Sequence, residues 1–194
     1  MGRAETNLAK EYVRCSEIHV RAAHTLYDDG QFASSVYSMQ QAVETAGKAF
    51  LLARGVVTVK GVKEHNFEDL LKDYAQISKS DLKKLKGDFK ANPDIFLKGT
   101  KKEIEFARSK FETEIGKNMA GMSLTQKEKE SASKALATIL TGFLFTQQHN
   151  QCTRYPGGIL SPWDYTGTLG VVQMVPAFLS EVEILLGILK VELT

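Results

Sequence analysis

Two long segments of helical periodicity are separated by only three residues, Asp29-Gly30-Gln31, and this spacing limits the fold more than any other feature of the chain. From Ala4 to Asp29, Leu8, Tyr12, Cys15, His19, Ala22 and Leu26 recur in steps of four and three. Ala9, Val13, Ser16, Val20, Ala23 and Tyr27 form a second row beside them, so the apolar face is wide. Arg14, Glu17, Arg21, His24 and Asp28 carry the opposite, solvated side, with opposite charges one turn apart. The pattern resumes with Ala33, Val36, Gln40, Val43, Gly47 and Phe50, and Gly30 and Gly55 supply the stop signals. Helices joined this briefly lie side by side and antiparallel. Small residues crowd the second one (Ser34, Ser35, Ser38, Ala42, Thr45, Ala46, Gly47, Ala49), as close helix approach requires.

The rest of the chain also reads as helix. Val56 to Glu64 is short and lightly patterned, and is expected to be a connector or a brief extended piece. Asn66, with Asp69 three residues on, caps a short helix through Leu70, Leu71 and Tyr74. Lysine-rich sequence follows from Lys79 to Lys90, and Asn92-Pro93-Asp94 marks a turn. Two further helices are expected over Lys101 to Lys117 and Thr125 to Gln148, with Gly121 near the break. Ser161-Pro162-Trp163-Asp164 predicts the start of a last helix, and Pro176 inside it predicts a kink. There is no strand alternation and no internal repeat. The expected architecture is all-α: an antiparallel up-and-down bundle, one domain over 1–194, in which residues 79–146 elaborate the bundle.

A length of 194 residues with 43% hydrophobic and 25% charged content suits one such domain. A net charge of +2 is too small for nucleic-acid binding by bulk electrostatics, so any RNA contact must be local. Cys15 and Cys152 lack zinc-site spacing and form no disulfide framework. Met1 to Lys10 holds charges and no apolar run, so a cytoplasmic setting is expected. Leu169 to Leu193 is the most apolar stretch. Gln173, Pro176, Glu181, Glu183 and Lys190 interrupt it, so it is expected to be a buried core helix and not a membrane span.

Within the second helix, Tyr37, Gln41, Glu44 and Lys48 stand at steps of four, three and four, which puts them on one stripe. Tyr37, Gln41-Ala42, Glu44 and Lys48-Ala49, then His65 and Leu70-Leu71, and finally Thr153-Arg154-Tyr155-Pro156 followed by Pro162, Tyr165 and a long last helix, resemble the HEPN family of helical nucleotide-binding domains. That resemblance covers roughly the first eighty and the last fifty residues. It implies a nucleotide or RNA ligand, a homodimer, and a separate minimal nucleotidyltransferase as partner in a toxin–antitoxin or defence pair. The nucleotide-binding residues it suggests are Glu44, Lys48, His65, His149, Arg154 and Tyr155, with Lys48 meeting phosphate and Glu44 holding it in place. The residue types alone favour a plainer account, a Glu-to-Lys pair on an exposed helix face.

Ribonucleases of this family are similar to one another in carrying an arginine followed, four to six residues on, by a histidine in a late helix, where the two stabilise phosphate charge and move a proton. No histidine follows Arg154. Arg14 and His19 satisfy the spacing, but in the first helix, about 500° of rotation apart. His19 falls in the apolar row and is read as a core or interface residue. The polar run Gln147 to Arg154, next to Tyr155, either lines a nucleotide cleft with His149 and Arg154 in reversed order or caps the helix and ties Tyr155 into a turn. No phosphate-binding glycine loop, helical zinc pair or nucleophile elbow is present, and no catalytic residue, cofactor or metal is assigned. Three functions follow: a non-catalytic nucleotide or RNA binder, a metal-independent endoribonuclease using His149 and Arg154, or a protein-interaction module.

Overall fold

The computed structural model describes residues 2–64, 101–119, 125–156 and 160–194. The expected helix at Asn66, the lysine-rich segment 79–90, the Asn92-Pro93-Asp94 turn and the break at Gly121 lie outside them. The described residues form helices α1 (Arg3–Asp28), α2 (Phe32–Ala53), α3 (Val59–Glu64), α4 (Lys101–Met119), α5 (Gln126–Cys152) and α6 (Gly170–Glu192), with a 3-10 turn over Pro162–Asp164 and no strand. The all-α expectation holds.

Both glycine stops work as the sequence suggests. Gly30 has φ +71° and Gly55 φ +66°. Gly30 N–H donates to the Tyr27 carbonyl at 3.0 Å and Gln31 N–H to that of Leu26 at 2.8 Å. Gly55 repeats this with Leu52, and Val56 with Leu51, each at 3.0 Å. These paired bonds close the last turn of each helix on a left-handed residue, which satisfies carbonyls that the helix end would otherwise leave open.

The chain then reverses and α1 packs along α2. Two serines stitch the pair: Ser16 Oγ donates to the Ala42 carbonyl and Ser35 Oγ to that of Ala23, both at 2.8 Å and both buried. Small side chains are what allow a hydroxyl on one helix to reach the backbone of the next. Helix α2 is the centre of the bundle, covered by α1, α5 and α6, and Val36, Met39, Val43, Leu51 and Leu52 are completely buried in it. Burial of each such large aliphatic side chain stabilises the fold by about 1.5–3 kcal/mol. At Gly142 in α5 the helices come close, because a Cβ there would sit 3.2 Å from Val43 Cγ2 and 3.4 Å from Phe178 Cδ1.

Helix α6 meets the hydropathy and length needed to cross a membrane, with half of its most apolar window buried in the protein. Its inner face packs on α1, α2, α4 and α5 through residues such as Val172, Val175, Phe178, Leu179 and Leu189, as expected of a core helix. Pro176 lies on the exposed side. Two expectations give way. Residues 59–64 form a helix in place of the connector, since Thr58 accepts from the Gly61 amide at 3.1 Å and starts the turn. The Ser161 signal caps only the 3-10 turn, where Ser161 N–H donates to Asp164 Oδ2 at 2.7 Å, and α6 starts later, at Gly170. A capping box signals a helical turn and says nothing about how many turns follow.

Gly30→Ala and Gly142→Val separate backbone from packing effects. An added Cβ at Gly30 meets nothing within 4 Å, so only the left-handed φ counts; a loss of about 1–2 kcal/mol is expected. Gly142→Val overpacks the α2–α5–α6 crossing and is expected to cost about 1–3 kcal/mol. Urea denaturation of each variant measures both.

Candidate functional site

The loop after α5 is built from the helix end outward. Helix α5 runs to Cys152, longer than the expected Gln148, so His149 to Cys152 are its last turn. Thr153 closes that end: its N–H and its Oγ1 both donate to the His149 carbonyl at 2.9 Å. Arg154 then emerges at the C-terminal end of the helix, where a cation is favoured. Its guanidinium lies 5.3 Å from the Tyr37 ring centroid and 5.4 Å from that of Tyr155. Both fall within cation–π range. The α2 stripe is thereby joined to the loop, across 117 residues of sequence (154 minus 37).

Along α2 the stripe continues from Tyr37 for about 16 Å to Lys48. Lys48 Nζ donates to Glu44 Oε1 at 2.6 Å and lies 5.8 Å from the Tyr12 ring centroid on α1. The expectation of an exposed pair needs amendment here, because the two side chains are only 19% and 26% accessible. Shielding from water makes such a pair stronger than an open surface pair and holds Lys48 in one place. On the edge of the same stripe, Gln40 is 2% accessible and its Oε1 has no hydrogen-bond partner among the described residues.

His149 is completely buried, and its Nδ1 is 2.6 Å from the hydroxyl of Tyr165, itself buried. The two rings meet edge to face with centroids 5.5 Å apart. Burial, then the nearby Cys152 and Asp164, push the Tyr165 hydroxyl far above its ordinary range, so the phenol stays protonated. His149 thus ties α5 to the segment before α6, while Arg154, five residues on, is exposed. The two candidate residues are near in sequence and differ in access: one is interior, the other faces solvent.

Arg154, Tyr155 and the Glu44–Lys48 pair remain as surface or half-buried groups, and His65 lies outside the described residues. Arg14 pairs with Glu11 at 2.9 Å on the outside of α1, whereas burial lowers the pKa of half-buried His19, so they form no joint site. Three residues matter that sequence reasoning did not assign. Tyr37 was visible only as a stripe member. Tyr165 entered the family resemblance only as a residue before the last helix, with no contact assigned to it. Trp163, the sole tryptophan, is 71% exposed on the turn just before Tyr165, at the same end of the bundle as Tyr155, which is 60% exposed. Among the described residues no three His, Cys, Asp or Glu side chains converge to hold a metal.

The central hairpin carrying the Glu44–Lys48 stripe lies within a match to the family model described as HEPN domain, over residues 9–140. This chain belongs to the HEPN family. The match runs on through 79–140 and stops before Thr153–Pro156, so the importance of Arg154 in this HEPN chain rests on its contact with Tyr37. No curated protein and no solved structure matches the chain.

Tyr165→Phe removes the partner of His149 Nδ1 and leaves a buried ring nitrogen short of a bond, an expected cost of about 1–3 kcal/mol. The pH dependence has a definite sign. In the unfolded chain the phenol loses its proton near pH 10, while the folded state holds it neutral; stability therefore falls as pH rises past about 10. The phenylalanine variant should show a smaller alkaline loss in denaturation curves on either side of that pH.

Proposed function

We propose that this HEPN-family protein binds a nucleotide or RNA without cleaving it, on the surface running from Tyr155 and Arg154 across Tyr37 to Lys48. The observation that carries the reading is the Arg154 guanidinium lying over both the Tyr37 and the Tyr155 rings, 5.3 and 5.4 Å from their centroids. A planar cation held against aromatic rings offers phosphate a fixed fork of donors, and the exposed ring of Tyr155 offers a base a stacking face. Lys48, steadied by Glu44, supplies a second positive point further along α2. Two local cations agree with a chain whose net charge is only +2.

Binding is favoured over cleavage because His149 is enclosed with Tyr165. A general acid or base must reach the proton it moves.

Titration with labelled nucleotides and a short single-stranded RNA, followed by Trp163 fluorescence and anisotropy, tests the reading. Tyr155→Ala is expected to weaken binding by roughly 5- to 100-fold, the worth of one base–aromatic stack. Arg154→Lys keeps the charge and loses the planar fork, so it should lower affinity nearly as far as Arg154→Ala. No binding by the wild-type protein, or binding indifferent to Arg154, Tyr155 and Lys48 substitutions, rejects the site. RNA cleavage by the wild type that is lost in His149→Ala would favour the ribonuclease reading instead.

A further inference from the structure

Gly187 stands inside α6 on its exposed side, and nothing within the bundle calls for a glycine there. A Cβ added at Gly187 meets nothing within 4 Å, and its φ is not left-handed. Glycine in a helix interior is destabilising because it gives the unfolded chain more freedom to lose, so alanine would serve the isolated fold better. The missing side chain leaves room for something outside the bundle.

Gly187 borders a groove between α1 and α6, which run antiparallel, with Glu17 paired to Lys190 and His24 to Glu183. The groove consists of two adjoining hollows of about 290 and 320 Å³ that share Glu17 and Lys190. Val13, Val20, Leu186 and Leu193, all nearly covered, form its floor. Its rims are mainly basic: Lys10, Arg14, Arg21 and Lys190 stand against Glu17 and Glu183. Both of those carboxylates are engaged, by Lys190 and His24, and Arg14 is engaged by Glu11. Lys10 and Arg21 have no ion pair among the described residues. They share one side of α1 and lie three turns apart, about 16 Å. On the α6 side, next to Gly187, Ile184 and Val191 are 55% and 76% accessible and lie two turns apart.

We propose that this groove receives an acidic amphipathic helix of a partner protein. Its carboxylates meet Lys10 and Arg21, its apolar residues rest on Ile184 and Val191, and its backbone passes over Gly187. The spacing states the partner's chemistry: carboxylates three turns apart along one edge and apolar side chains two turns apart on the adjoining face. A lipid surface fits less well, because Glu17 and Glu183 stand in the rims and a flat layer of headgroups does not enter a hollow. The groove is also separate from the nucleotide surface. Tyr12, the α1 residue beside Lys48, is two residues from Lys10 and so about 200° round the helix from it.

The test follows amide chemical shifts of the isotope-labelled full chain as an alanine-based helical peptide of about 20 residues, carrying glutamate and leucine at those spacings, is added. Saturable shifts at Arg21, Ile184 and Gly187 are expected. Arg21→Glu should weaken binding about tenfold, and replacing the peptide's glutamates by lysine should restore it. Gly187→Gln fills the notch and should also weaken binding, whereas Gly187→Ala should raise the thermal midpoint of the free protein by about 2–4 °C. Arg21 and Gly187 are both exposed, so folding is not at stake. Absence of shifts with the acidic peptide overturns the proposal, as does equal binding of its lysine counterpart to the wild type. A Gly187→Ala variant less stable than the wild type overturns it too, by making the glycine part of the packing. Shifts of the same residues with protein concentration alone, with phosphatidylserine vesicles or with single-stranded RNA, in place of the peptide, would reject it and assign the groove to a second copy, to lipid or to nucleic acid.

Discussion

Close contact between α1 and α2 is the interaction on which the remainder depends. Ser16 and Ser35 reach across to carbonyls of the opposite helix, and this is possible only because alanine and serine line the seam. The contact buries one side of α2 completely and leaves its other sides to α5 and α6. The stripe from Tyr37 to Lys48 is what remains half-open after those three helices have covered the rest. The position of the candidate site is thus a by-product of how α2 is wrapped.

Arg154 shows how the site is assembled from distant parts. Its place is set by the end of α5, where Thr153 closes the helix and turns the chain, and by the His149–Tyr165 contact that holds this end against the segment before α6. The histidine that draws attention in sequence is then structural, and the arginine beside it is the group presented to solvent. Five residues separate the two, but helix geometry followed by a turn directs them to different environments.

Two surfaces of this HEPN protein differ in character. The Arg154–Tyr37 surface joins cations and aromatic rings, the combination that recognises phosphate and base. On α6 all four charged residues stand in ion pairs, with residues of α1 and α5 and with Arg54 just after α2, while Ile184, Ile188 and Val191 are exposed. Three of the interruptions that argue against a membrane span in the sequence, Glu181, Glu183 and Lys190, are among these paired residues.

Much of the fold was legible in the residues. Periodicities of three and four, Gly30 and Gly55 as stops, and a three-residue connection dictate a helical hairpin, because these are local rules of backbone geometry and solvation. The boundaries were less legible: α3 appears where a connector was expected, and α6 begins beyond its apparent cap, since a turn's start signal does not carry its length. The HEPN resemblance was likewise readable from local motifs. Which side chains meet was not. That Arg154 lies over the Tyr37 ring, that Glu44 and Lys48 are shielded, that His149 is interior and that α6 pairs its charges with other helices were all decided by tertiary packing, because burial and through-space distance depend on how helices far apart in sequence cover one another.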